Sequence, residues 1–126
     1  MQAIELVNMA LAARENAYAP YSGISVGAAL LTREGRVFTG VNVENVSYAL
    51  TVCAERVAVV NAVSAGCRRF DALAVAWNKQ GFCRPCGACR QVLYEFNPEM
   101  RIIMADYGGE YEEQQLKTLL PNSFEK

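Results

Sequence analysis

The chain has 126 residues, 52% of them hydrophobic and 20% charged, which suits one domain over residues 1–126 with its own core. Its net charge is −1 and its only adjacent basic pair is Arg68-Arg69, so it lacks the basic stripe that a nucleic-acid partner requires. No stretch approaches about 18 apolar residues and no leader precedes an apolar run, so neither a membrane partner nor export is expected.

Helices alternate with short strands along the chain, which indicates a layered α/β domain. Helical spacing of apolar side chains predicts helices over residues 3–17, 52–65 and 85–96. Alternating or continuous apolar runs predict strands over residues 26–31, 36–43, 73–77 and 101–105, the first two joined as a hairpin. Thr51 is expected to cap the second helix, and Pro85 to lie in the first turn of the third. The tail, residues 111–126, reads as part strand followed by a short helix over 116–120.

Cysteine, not histidine, dominates the candidate metal ligands, because the chain has five cysteines and no histidine. Cys53 and Glu55 form a C-x-E motif, and Cys86 and Cys89 form a P-C-x-x-C motif about thirty residues later. Three thiolates favour zinc and leave one tetrahedral position for water, as in catalytic sites. Cysteines in metal-ligand spacing, in odd number, favour a reducing, cytoplasmic compartment over a disulfide framework.

The ligand spacing requires helix N-termini. Cys86 and Cys89 share one helix face, but Cys53 and Glu55 converge only in a first turn. The positive end of the helix dipole there stabilises thiolates. Three thiolates exceed the charge of a divalent ion by one, and we expect Arg56 to offset this surplus by donating to the sulfurs. A solvent-facing Arg56 is the alternative.

A carboxylate beside a zinc-activated water suggests hydrolytic deamination. Zinc lowers the pKa of a bound water toward ~7, so hydroxide becomes the nucleophile, and Glu55 can carry the protons. The simpler alternative is that Glu55 has no catalytic role and only interacts favourably with the dipole at the helix N-terminus. A second alternative is a structural zinc module without catalysis, in which Cys83 is the fourth ligand. An iron–sulfur site on these cysteines is a weaker alternative. Cys67 reads as a small buried or half-buried thiol.

Asn42 and Glu44 alternate with valines at the end of the second strand, so their side chains point to one side. An amide and a carboxylate side by side suit sugar hydroxyls. The carboxylate would repel a phosphate, which favours a nucleoside over a nucleotide as the substrate. An exposed strand end without function is the alternative.

Six sequence blocks resemble the small, homotetrameric cytidine deaminases over nearly the whole chain. The blocks are Tyr18-Ala19-Pro20-Tyr21-Ser22, Val26-Gly27-Ala28-Ala29-Leu30, Gly40-Val41-Asn42-Val43-Glu44-Asn45, Cys53-Ala54-Glu55-Arg56, Pro85-Cys86-Gly87-Ala88-Cys89-Arg90-Gln91 and Leu119-Leu120-Pro121. The resemblance implies a single-domain, three-layer fold with a five-stranded mixed sheet flanked by helices. It also implies one Zn²⁺ per subunit and deamination of cytidine or deoxycytidine in pyrimidine salvage.

The resemblance also assigns roles to individual residues. It implies that Asn42 and Glu44 bind the ribose, that the Ala54 backbone contacts the base, and that Arg56 balances the charge of the metal site. It implies a homotetramer with shared active sites, in which Tyr48 and Phe124 are the aromatic candidates for contact with a neighbouring site. Ordinary packing is the alternative for both rings.

One position departs from the family, which usually has Phe-Pro where this chain has Ile24-Ser25. Isoleucine keeps apolar contact but loses ring stacking. We therefore expect a looser pocket that tolerates cytidines substituted on the exocyclic amine. A blasticidin-S-type aminohydrolase and a polynucleotide deaminase are the rival enzymes, and the net charge argues against the second.

Overall fold

A five-stranded mixed sheet forms the centre of the protein, whose structure, a computed structural model, describes residues 1–126. The strands are β1 (Val26–Thr32), β2 (Val37–Val41), β3 (Phe70–Trp77), β4 (Arg101–Ala105) and β5 (Tyr111–Gln115). The helices are α1 (Ala3–Ala13), α2 (Ala54–Ser64), α3 (Gly87–Tyr94) and α4 (Leu116–Leu119). None of them has the length and apolarity that crossing a bilayer requires.

The strand order β2-β1-β3-β4-β5 explains where the helices lie. Only β3 and β4 pair in parallel; the other neighbours are antiparallel. A parallel pair needs a crossover connection, which α3 supplies, and α2 carries the chain from β2 past β1 to β3. Both helices cover one face of the sheet, and α1 covers the other.

Close approach of helix and sheet depends on two glycines. A Cβ at Gly40 on β2 would overlap the backbone of α2 at Ala54 and Ala58. A Cβ at Gly27 on β1 would overlap the backbone of α1 at Ala10. On this sheet, backbone-to-backbone packing therefore fixes the beginning of α2 next to the end of β2.

The structure confirms the three-layer α/β arrangement and the five-stranded mixed sheet, and it corrects several boundaries. The first helix ends at Ala13 and continues only as a 3-10 turn. Thr51 does not cap α2: its hydroxyl accepts from the Asn45 N–H at 3.1 Å, and Cys53 is the N-cap residue. Pro85 does not lie in the first turn of the third helix, as expected, but precedes α3, whose N-cap residue is Cys86.

Two strand boundaries also differ from the sequence prediction. β2 ends at Val41 because the backbone then turns to make single bridges from Val43 to Tyr18 and Val52. β3 begins at Phe70, earlier than its continuous apolar run suggests, because Phe70 pairs with Thr32.

Candidate active site

Three cysteine sulfurs meet where α2 and α3 begin. Cys53 is the N-cap residue of α2 and Cys86 that of α3, while Cys89 lies in the first turn of α3. Their Sγ atoms all lie within 4.8 Å of one another, and those of Cys86 and Cys89 are 3.4 Å apart. Sulfurs at the usual distance from a tetrahedral zinc are about 3.8 Å apart. The cluster therefore has the ligand type and the size that a zinc ion needs.

The other two cysteines do not belong to this cluster. Cys83 is buried, and its backbone N–H donates to the Ala105 carbonyl at 3.0 Å. Burial raises the pKa of its thiol, as expected of a packed side chain. The structure therefore groups three sulfurs, without the fourth that the closed alternative with Cys83 requires. Cys67 is buried too, as expected, and its sulfur accepts from Arg36 Nη1 at 3.4 Å.

Glu55 is the only buried carboxylate of the chain, with 5% of its surface exposed. It lies in the first turn of α2 and lines the same cleft as Cys53 and Cys86. Burial raises the pKa of Glu55 to about 7, since the cleft offers the charged form little solvation. A divalent cation held by the sulfurs would oppose this effect by favouring the carboxylate.

Arg56 contacts the cluster through the sulfur of Cys53. Its Nη2 lies 3.7 Å from Cys53 Sγ and 3.3 Å from the Thr51 carbonyl oxygen. A hydrogen bond from Cys89, the Arg56 guanidinium and a hydrogen bond with Cys86 lower the pKa of Cys53, and the bond between Cys53 and Cys89 raises that of Cys89. Cys53 is therefore the readier of the two thiols to become a thiolate, the form that binds metal.

A cleft of about 280 Å³ opens beside the cluster. Its lining includes Cys53, Glu55 and Cys86 together with Asn42 and Glu44. The two predicted sugar-binding residues thus both line the cleft, although both follow the end of β2.

Asn42 and Glu44 each fix the loop that precedes β1. The Asn42 amide accepts from the Val26 N–H at 2.9 Å and donates to the Ile24 carbonyl at 2.8 Å. The Glu44 carboxylate accepts from the N–H groups of Tyr21 and Ser22 and from the Ser22 hydroxyl. The Ser22 hydroxyl is the main cause that lowers the pKa of Glu44. The amide and the carboxylate therefore face the cleft from a braced position.

The remaining candidates divide into two groups. Ala54 and Ile24 line the cleft. Tyr48 and Phe124 do not: their exposed fractions are 75% and 86%. The Tyr48 ring meets Tyr21 edge-on at 6.3 Å between centroids. Neither ring reaches the cleft of its own chain, and contact with a neighbouring subunit stays a prediction.

Two large residues that line the cleft, Trp77 and Arg84, were not predicted from the sequence. Trp77 ends β3 and pairs with Val26 across the sheet, a long-range neighbour that no local pattern reveals. Arg84 lies in the loop before α3 and forms a 2.7 Å ion pair with Glu112. The only signal in the sequence was the proximity of Arg84 to the P-C-x-x-C motif.

Comparison with known proteins agrees with this site. Residues 1–105 match the model of the cytidine and deoxycytidylate deaminase zinc-binding region. A cytidine deaminase of Sporosarcina psychrophila is 46% identical over 100% of this chain and 93% of its own length.

Two crystal structures also superpose on the chain. The cytidine deaminase of Burkholderia pseudomallei has a TM-score of 0.95 at 46% identity, covering 98% of this chain and 100% of its own. That of Mycobacterium tuberculosis has a TM-score of 0.86 at 42% identity, covering 97% and 96%. The chain belongs to the cytidine and deoxycytidylate deaminase zinc-binding family.

Proposed function

We propose that residues 1–126 form one catalytic domain that hydrolyses cytidine and deoxycytidine to uridine and deoxyuridine, with release of ammonia. The observation that carries this proposal is the buried Glu55 carboxylate beside a cluster of three, not four, cysteine sulfurs in an open cleft. Family membership supports the same reaction. A structural zinc site would explain the sulfurs but not the carboxylate.

Cys53, Cys86 and Cys89 would hold one Zn²⁺ per subunit, since thiolates at this spacing suit a tetrahedral ion. When bound, zinc acts as a Lewis acid that makes water a nucleophile near neutral pH. Arg56 would offset the surplus charge of three thiolates through its contact with Cys53. That contact would reduce the negative charge that the Cys53 sulfur donates to the zinc ion.

Glu55 is the proposed proton shuttle. Its carboxylate accepts a proton from the water that attacks C4 of the base and passes it to the ring nitrogen N3. It then takes the second proton from the oxygen now on C4 and gives it to the exocyclic amine, as the C4–N bond breaks and ammonia leaves. One carboxylate thus serves each transfer, and the absence of histidine from the chain is no obstacle.

Asn42 and Glu44 would bind the ribose hydroxyls, and the Ala54 backbone would contact the base. The Asn42 amide keeps one N–H beyond the bond to Ile24, and ionised Glu44 keeps acceptor lone pairs. The carboxylate would repel a 5′-phosphate on a bound substrate. A nucleoside should therefore react faster than its monophosphate.

The chain is proposed to act as a cytoplasmic homotetramer with shared active sites. The segment after Glu44 supports this assembly because it exposes Val46, Tyr48 and Leu50 together. Tyr48 and Phe124, both outside their own cleft, are candidates to complete a neighbouring subunit's site. Three clustered thiols suit the reducing compartment where pyrimidine salvage takes place.

Ile24 is proposed to let the cleft accept cytidines that carry a substituent on the exocyclic amine. It contributes apolar surface to the cleft but no ring. Turnover of cytidine and of N4-substituted cytidines should be compared in wild type and Ile24→Phe. The substitution should shift the ratio toward plain cytidine, and an unchanged ratio would remove the idea.

The function is tested by ammonia release from a panel of cytidine, deoxycytidine, deoxycytidine monophosphate, adenosine and blasticidin S. Cytidine and deoxycytidine should be the best substrates, and a chelator should abolish turnover until zinc is restored. Preferred turnover of blasticidin S would assign the chain to that aminohydrolase branch. Full activity after verified zinc removal would exclude the mechanism.

A further inference from the structure

The cleft contains a single aromatic ring, and it belongs to Trp77. The other apolar side chains that line it, such as Ile24 and Val26, are aliphatic. A pyrimidine base is a flat ring, and flat rings gain attraction from stacked or edge-on aromatic contact beyond simple burial. Among the residues that a chain contributes to its own cleft, Trp77 is therefore the one that can offer this contact.

Trp77 is held firmly in place. It is the last residue of β3, paired with Val26 of β1 across the sheet, and its ring packs against the larger core. The indole Nε1 donates to the Gly81 carbonyl at 2.7 Å, across a turn in which Gly81 has a φ of +85°. The only polar group of the side chain is thereby satisfied, and the ring of this lining residue has a fixed position.

We infer that Trp77 is a base-recognition residue of this chain beside Ala54, supplying from the end of β3 the aromatic contact that Ile24 cannot give. The inference rests on the proposed function for the identity of the base. It separates two properties of the cleft: Ile24 leaves room beside the base, and Trp77 retains the preference for a planar ring. Trp77 acts on substrate binding, not on proton transfer.

The single tryptophan of the chain makes the contact directly observable. In the Glu55→Gln variant, which should bind without turnover, cytidine should change the emission of Trp77 in a saturable way. The midpoint should equal the dissociation constant from equilibrium dialysis, and ribose alone should leave the emission unchanged. Binding of cytidine by dialysis with no change in emission would overturn the inference.

Kinetics of substituted chains provide a second test. Trp77→Leu should raise KM for cytidine roughly 2- to 12-fold with a smaller change in kcat, and Trp77→Phe should stay within about twofold. Adding Ile24→Phe to Trp77→Leu should restore KM by returning a ring to the cleft. The matched control is Phe82→Leu, because Phe82 packs on the same core but does not line the cleft.

The outcomes separate this inference from the function on which it rests. Ammonia release by wild type with an unchanged KM in Trp77→Leu, or an equal rise in Phe82→Leu, would overturn the role of Trp77 alone. No ammonia release from cytidine by zinc-loaded wild type would remove the proposed function. A changed emission with cytidine in that case would still establish Trp77 as a nucleoside contact.

Discussion

The two faces of the sheet are covered by helices in different ways. On one face, α1 packs against a layer built mostly of alanines. On the other face, α2 and α3 pack on larger side chains, and their N-termini bring three sulfurs and Glu55 to one cleft. The candidate site thus lies where two helices begin together, whereas the face with a single helix carries a core of small apolar side chains.

The largest expected difference between the two faces is in the effect on kcat of Glu55→Gln compared with Glu5→Gln. Each glutamate lies in the first turn of a helix, α2 and α1 respectively, but Glu5 is exposed. Glu55→Gln should lower kcat by about 10²–10⁴-fold with zinc still bound, because proton transfer is lost. Glu5→Gln should leave kcat unchanged. Steady-state kinetics and metal analysis check both, and a similar small effect in the two variants would contradict the role of Glu55.

The next contrast lies within the α3 side of the cleft. Cys86→Ser should reduce bound zinc well below one ion per chain, since it removes one of three ligands. Cys83→Ser should keep the zinc, because the buried Cys83 sulfur lies outside the cluster. Metal content after dialysis measures both. Equal loss from the two variants would mean that Cys83 belongs to the site after all.

A smaller contrast concerns the two glycines under the helices. Gly40→Ala and Gly27→Ala should each lower the free energy of unfolding by about 1–3 kcal/mol, because the new methyl meets helix backbone. Only Gly40→Ala should also weaken zinc binding, since it displaces α2 at Ala54, between Cys53 and Glu55. Denaturant unfolding and zinc titration distinguish the two effects. Equal zinc affinity in both variants would show that the position of α2 does not set the site.

The smallest effect is expected from Ser22→Ala in acid. The Ser22 hydroxyl contributes most to lowering the pKa of Glu44, so Glu44 stays ionised below the usual pH range of a carboxylate. Without the hydroxyl the pKa rises toward its ordinary value, and protonated Glu44 becomes populated as pH falls toward 4.5. KM for cytidine should then rise by up to about twofold more between pH 7 and pH 5 than in wild type. Identical pH profiles would argue against ribose contact by Glu44.

The metal end of the cleft could be predicted from the sequence because its geometry is local. Cys86 and Cys89 share a helix turn, and the C-x-E spacing of Cys53 and Glu55 requires a helix start. Even there the caps differed: Thr51 seemed the better N-cap residue, but Cys53 holds that position. The alternation of helices and strands likewise sufficed for the layered fold.

The rest of the cleft depends on contacts between distant segments. Trp77 enters it only because β3 pairs with β1, which brings Trp77 next to Val26, about fifty residues earlier in the chain. Asn42 and Glu44 both line the cleft, but their bonds to the loop from Tyr21 to Val26 were not foreseeable. Tyr48 and Phe124 lie outside the cleft of their own chain, so their role depends on assembly.

The ion pair between Arg84 and Glu112 has an additional consequence, because Glu112 belongs to β5, the outermost strand of the sheet. Its neighbour Glu113 pairs with Arg101 at 3.0 Å. Open backbone groups along such an edge invite a strand from another molecule, and charged side chains discourage it. We therefore expect the pairing of Arg84, which lines the cleft, with Glu112 to make edge-to-edge association through β5 less favourable.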